Sequence, residues 1–69
     1  MPWNAGTLKK LRERRGLTQQ QLADAVGAHR VTIAKLETGA LRPGVDVLEA
    51  LAKALRVKVT DLLKPQMEV

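Results

Sequence analysis

Residues 18–39 read TQQQLADAVGAHRVTIAKLETG, and the fold follows from how that stretch divides. Leu22, Ala23 and Val26 fall at i, i+1 and i+4, one face of a helix over 19–26. Ile33 and Leu36 are three apart and mark the inner face of a second helix over 30–38. Val26-Gly27-Ala28-His29 stands between them. Glycine tolerates positive φ, so the chain is able to turn sharply there. Ala23 is small at the point where two helices so joined approach each other. Thr18 carries the hydroxyl to cap the first helix, and Gly39 closes the second. This spacing sets one helix across a DNA groove and the other inside it.

Outward from this stretch the pattern stays helical. Leu8 and Leu11 give the inner face of a helix over 5–15, with Asn4 as its cap and Gly16 as its stop. Ala40-Leu41-Arg42-Pro43-Gly44 is a loop. Leu48, Leu51, Ala52 and Leu55 form an i, i+3, i+4, i+7 stripe on a helix over 45–55. Val57 is placed to plug the core. A short last helix is expected from Thr60 to residue 63 or 64, ending before Pro65, with 65–69 frayed. No strand is expected. The chain therefore reads as all-α: one domain over 1–69 with five helices and a core of about 5–64.

Composition narrows the function. Trp3 is the one aromatic residue, so aliphatic side chains must make the core. A chain of 69 residues buries little surface, and its net stability is expected at roughly 3–5 kcal/mol. The absence of cysteine excludes disulfides and thiolate metal sites and fits a reducing cytoplasm. No run approaches the ~20 apolar residues of a membrane span. Met1-Pro2-Trp3-Asn4 does not begin a signal peptide. With no serine, no cysteine and one histidine, no catalytic constellation is available, so neither an enzyme nor a cofactor is expected. His29 has no ligand set by spacing with Asp24 or Glu37, so no metal is expected; it reads as the cap of the 30–38 helix. No small-molecule input is evident.

The net charge is +5, which favours a polyanionic partner. Its distribution says more. Residues 1–17 carry a net +4 from Lys9, Lys10, Arg12, Arg14 and Arg15 against Glu13. The 18–39 stretch is neutral, with Arg30 and Lys35 against Asp24 and Glu37. General attraction to DNA must then lean on the first helix and the loops.

The chain resembles the phage-repressor and Cro-like (XRE-type) helix-turn-helix family of transcription regulators. The matching pieces are Leu17-Thr18-Gln19, Leu22-Ala23, Val26-Gly27, Thr32-Ile33, Leu36-Glu37 and Gly39. Flanking them are Leu8-Lys9-Lys10-Leu11-Arg12 before, and Pro43, Leu48, Leu51-Ala52-Lys53-Ala54-Leu55 and Leu62-Leu63 after. The resemblance spans about 7–63. It implies a compact five-helix, lambda-repressor-like domain that binds double-stranded DNA.

The 30–38 helix is by position the recognition helix, which presents its N-terminal exposed residues to base edges. Those are Arg30, Val31, Ala34 and Lys35, the usual base readers in the resemblance. Arg30 is able to bond guanine O6 and N7 together. Lys35 has the reach for a guanine or a phosphate. Val31 and Ala34 offer only apolar contact, most usefully to a thymine methyl. Gln19 is the strongest phosphate candidate, beside the free N–H groups of its helix start. Thr18, Thr32, Thr38 and Arg42 follow, with Lys9 and Lys10 on the first helix. The resemblance implies an Asn-Gly-Lys-like loop start where this chain has Thr38-Gly39-Ala40-Leu41, which removes phosphate-binding groups.

The resemblance also pairs Arg12 with Glu37, as a partly buried ion pair that fixes the recognition helix against the first. It implies a homodimer on a palindromic operator, joined through the last helix, with Val59, Leu62 and Met67 as contacts. Of Leu62 and Leu63 at least one must face inward. Trp3 reads as a lid on the core or as a partner contact. Arg56 stands where glycine is expected after the 45–55 helix, at about 1 kcal/mol if left-handed. Lys58 stands where a capping serine is expected, which leaves Thr60 to cap. The expected function is a repressor or autoregulator in the cytoplasm. The rivals are an antitoxin with a toxin partner, a restriction-modification controller, and an interaction module that keeps the fold without binding DNA. The last is favoured only by the apolar Val31, Ala34, Ala40 and Leu41.

Overall fold

Five helices form where the apolar spacing places them: α1 Ala5–Arg14, α2 Gln19–Val26, α3 Arg30–Thr38, α4 Val45–Leu55 and α5 Val59–Leu62. The computed structural model describes residues 3–63, and among these there is no strand. Each inner face is the expected one. Leu8, Leu22, Ala23, Ile33, Leu36, Leu51, Ala52, Leu55 and Leu62 make one buried core. Trp3, Leu11, Leu48 and Val57 pack against it half-buried. The core is aliphatic, and burying each Leu or Ile stabilises the fold by about 1.5–3 kcal/mol before the entropy of ordering is subtracted.

Capping chemistry sets the helix starts. The Asn4 side chain accepts from the Thr7 N–H at 3.4 Å. Thr18 and Gln21 form a reciprocal box: the Gln21 N–H donates to the Thr18 hydroxyl at 3.0 Å, and the Thr18 N–H donates to the Gln21 side chain at 2.9 Å. The turn that joins α2 to α3 rests on Gly27, which is left-handed at φ 72°. There the Ala28 N–H donates back to the Ala23 carbonyl at 2.9 Å. A Cβ at Gly27 would meet nothing within 4 Å, so the requirement there is the positive φ and not a steric one. Ala23 is fully buried between α2 and its neighbours, where a larger side chain would force them apart.

Two ends differ from expectation. α1 stops at Arg14, and Arg15 serves as its C-cap. The Arg15 guanidinium reaches the far end of α4, donating to the Leu55 carbonyl at 2.8 Å and the Arg56 carbonyl at 3.4 Å. Arg56 is left-handed at φ 58°, a conformation costing a side-chain-bearing residue roughly 1–2 kcal/mol. The Arg15 bonds hold that strained end and satisfy carbonyls that the helix leaves unpaired.

The second difference is α5, which begins one residue earlier than the sequence suggests. Lys58 is its N-cap position, and the Lys58 N–H donates to the Asp61 carboxylate at 3.0 Å. Thr60 is inside the helix and is not the cap. Leu62 is wholly buried, which corrects its assignment as a dimer contact: it has no surface left to offer a partner. Val59 is half-buried against the same core. Met67 and the 65–69 tail lie outside the described residues.

Candidate nucleic-acid interface

The helical period divides α3 into an inner and an outer face. Ile33 and Leu36 are 0% and 1% exposed and face the core. That turns Arg30, Val31, Ala34 and Lys35 to the other side, where 30/34 and 31/35 are four apart and 31/34 three apart, the spacings that share a face. Arg30 and Lys35 are exposed, Val31 is 54% exposed, and Ala34 is half-buried. Among the described residues neither the Arg30 guanidinium nor the Lys35 ammonium is bonded to another side chain. The N-cap of α3, His29, is in extended backbone and makes no side-chain cap bond, so the first N–H groups of α3 lack a capping side chain.

The other end of α3 is tied down by a polar junction. Glu37 accepts from Arg12 through both carboxylate oxygens, Nε to Oε2 at 2.6 Å and Nη2 to Oε1 at 3.3 Å. The Glu37 side chain is 3% exposed and that of Arg12 11%. The bond to Glu37 pushes the Arg12 guanidinium above its ordinary value, against the opposing effect of burial. Arg12 Nη1 also donates to the Leu17 carbonyl at 2.6 Å, at the approach to α2. The resemblance implies this pair; the structure adds a third member. Gln19 Nε2 donates to Glu37 Oε1 at 3.1 Å, which draws the start of α2 into the junction. No buried side-chain nitrogen or oxygen is left without a partner among the described residues. Trp3 adds a bolt from outside the motif, its indole Nε1–H donating to the Leu36 carbonyl at 2.8 Å.

The remaining candidates fall in several places. Gln19 is half-buried at the first position of α2, where backbone N–H groups lack helical partners. Thr18 is exposed beside it, its hydroxyl oxygen accepting from Gln21. Thr32 is half-buried on α3. Thr38 is exposed, but its hydroxyl donates back to the Lys35 carbonyl at 3.1 Å. Lys9 and Lys10 are exposed on α1. Arg42 lies past α3 on the rim of an open cavity of about 270 Å³, with Trp3, Pro43, Leu48 and Leu63. Among the described residues no group of three or more His, Cys, Asp or Glu is placed to hold a metal. No helix there is long and apolar enough to cross a membrane.

Two contacts had no signal in the sequence. The Arg15 bonds join residues 40 and 41 positions apart and the Trp3 indole bond residues 33 apart, and all depend on how the helices pack. The Gln19–Glu37 bond was not expected either: the resemblance pairs Glu37 with Arg12 alone, and Gln19 reads from the sequence as a phosphate contact.

Comparison with known proteins gives consistent matches. Residues 8–62 match the helix-turn-helix family model HTH_3. An uncharacterised HTH-type transcriptional regulator of Archaeoglobus fulgidus is 33% identical over 55 residues, covering 80% of this chain and 79% of that protein. The P22 c2 repressor, solved with a synthetic operator, superposes with a TM-score of 0.85 at 28% identity, over 93% of this chain and 97% of that one. The restriction-modification controller protein C.AhdI of Aeromonas hydrophila gives a TM-score of 0.81 at 29% identity, over 84% and 88%.

Proposed function

Since the chain belongs to the helix-turn-helix family of DNA-binding transcription regulators, we propose that it is a repressor or autoregulator that binds a palindromic operator as a homodimer. The observation that carries this reading is the contrast on α3. Its inner residues are fully buried, while Arg30, Val31 and Lys35 stand exposed with no partner among the described residues. A helix held in this way suits insertion into a major groove.

In this reading Arg30 donates both arms of its fork to a guanine, worth about 1–3 kcal/mol of discrimination. Val31 and Ala34 lie against thymine methyls, and Lys35 reaches a guanine or a phosphate. Gln19 and the first N–H groups of α2 take a backbone phosphate. Thr18, Thr32, Arg42, Lys9 and Lys10 supply further backbone contacts. Thr38 is the weakest of these, because its own helix holds its hydroxyl proton. One domain reads only a few base pairs, so two copies on half-sites one helical turn apart supply useful specificity. Val59 remains a dimer contact, and the site of action is the cytoplasm, on the chromosome.

A second reading is favoured by the likeness to C.AhdI: this chain is a controller in a restriction-modification system and uses the same face of α3 on DNA. The neighbouring genes separate the two. The proposal is tested by selecting bound sequences from a random duplex pool. An enriched palindrome with half-sites about 10 base pairs apart is the expected result. A pool that shows no enrichment at low salt would leave the protein-interaction reading in its place.

A further inference from the structure

The Gln19–Glu37 bond raises a question that the DNA-binding reading leaves open. A glutamine amide has two ends, a carbonyl that accepts and an NH₂ that donates. Only the donating end suits a phosphate. A free glutamine presents either end, and each presentation costs side-chain entropy to fix. Here the choice is already made. Glu37 is a carboxylate and only accepts, so the Gln19 nitrogen must face it. One of its two N–H bonds goes to Glu37 Oε1. The other diverges from it and is left for a second acceptor, and Gln19 is half-buried, so part of its side chain reaches the surface.

A carboxylate beside a phosphate site would ordinarily repel the DNA. Two features remove that penalty. Arg12 bonds both Glu37 oxygens and balances its charge. The Glu37 side chain is 3% exposed, so that it is Arg12, and not solvent, that meets its charge. Position adds a further consequence. Glu37 is in the last turn of α3 and Gln19 in the first turn of α2. A bond between them ties the group that would grip the backbone to the helix that would read the bases.

We propose that Glu37 is a positioning residue for DNA binding: its buried, Arg12-balanced carboxylate holds the Gln19 amide with one N–H inward and the second directed to a DNA phosphate. This rests on Gln19 being a phosphate contact, as the proposed function has it. Glu37 itself touches no DNA. Its effect on affinity passes through Gln19, beyond any part that it has in stability.

The test is a double-mutant cycle read as affinity for a random-sequence duplex at fixed low salt, where phosphate contacts dominate. Gln19→Ala is expected to weaken binding about tenfold, as loss of a hydrogen bond to a charged group does. Glu37→Gln should cause a loss of similar size with Gln19 present, and less than about twofold in the Gln19→Ala background. Equal losses in both backgrounds overturn the proposal, since Glu37 then acts only through the fold. No loss from Glu37→Gln in either background overturns it as well. An unchanged affinity in Gln19→Ala is a different failure and removes the phosphate contact itself.

If Glu37→Gln does not fold by circular dichroism, NMR of the unaltered protein decides. The two Nε2 protons of Gln19 should be resolved, one of them protected from exchange, and duplex should move the other. A pair with neither proton protected, or a pair that duplex leaves unmoved, overturns the proposal.

Discussion

At its C-terminal end α3 is bonded to three other parts of the chain, through Trp3, Arg12 and Gln19. At its N-terminal end the described residues show no side-chain bond: His29 caps nothing and Arg30 stands in solvent. The difference teaches how a small domain makes a rigid reader. The anchored end has given up its side-chain freedom on folding, so DNA need not order it again. The open end keeps its freedom, up to roughly 2 kcal/mol for an arginine, and gives it up only when a base edge rewards it. Rigidity at one end and openness at the other are complementary parts of one helix.

The contrast breaks most clearly at Glu37. Glu37→Ala strands the Arg12 guanidinium at a site where its side chain is only 11% exposed. Removing one partner of a buried pair typically costs 3–5 kcal/mol, and about 3 is expected here. That is most of the stability expected of a chain this size. Denaturant melts followed by circular dichroism measure it. A loss under about 1 kcal/mol would mean that water replaces the carboxylate and that the junction does not anchor α3. The pH dependence has a definite sign. A cation whose value is raised on folding contributes its full stability below the unfolded value and loses it only as pH rises through the folded one. Arg12 starts far above neutrality and is pushed higher, so its contribution is flat through the neutral range.

The next effect is smaller and tests the outer bolt. Trp3→Phe keeps an aromatic ring against the core but removes the indole N–H from the Leu36 carbonyl. That carbonyl is in the last turn of α3, where helical partners run out. A destabilisation of about 1 kcal/mol is expected in thermal melts. No change would show that water serves the carbonyl equally well, and that Trp3 acts as apolar cover alone.

A third substitution works on the open end from the opposite direction. His29 is an N-cap with no capping bond. His29→Ser gives α3 the hydroxyl that such a position prefers, and roughly 0.5–1 kcal/mol of stabilisation is expected. If the melting temperature does not rise, the extended backbone at residue 29 does not present a side chain to the N–H groups of the first turn.

How much of this was legible in the sequence depends on the range of the interaction. The ends of α2, α3 and α4 were legible because Thr18, Gly27, Gly39 and the apolar spacings act within a few residues. The strained Arg56 was legible too, as a glycine position without glycine. The outer face of α3 follows from the helix period once Ile33 and Leu36 are placed inside. α5 was less legible for a physical reason. Four residues are too short for a period to tell Leu62 from Leu63. Thr60 and Asp61 each had a side chain able to start the helix, and the carboxylate at the third position took the role. The junction was half-legible. Arg12 and Glu37 come as a pair from a resemblance, whereas Gln19 reads as a phosphate contact and not as a partner of Glu37. The Gln19–Glu37 bond spans 18 positions and depends on how α2 packs against α3. The Arg15 and Trp3 bonds were not legible at all, since side chains that reach distant carbonyls leave no pattern along the chain.

The smallest expected change in stability belongs to the residue with the largest expected role in reading DNA. Arg30→Ala removes an exposed side chain that bonds no other described side chain, so melts should move by less than about 0.5 kcal/mol. Its effect belongs in a binding selection, where preference should relax at one base pair in each half-site and hold elsewhere. The paired measurements separate three possibilities. A stable variant with one relaxed position supports a base reader on an open helix end. A uniform loss across all sequences makes Arg30 a phosphate contact. A clear loss of stability would mean that the N-terminal end of α3 is held by this side chain after all, and the contrast between the two ends would fall.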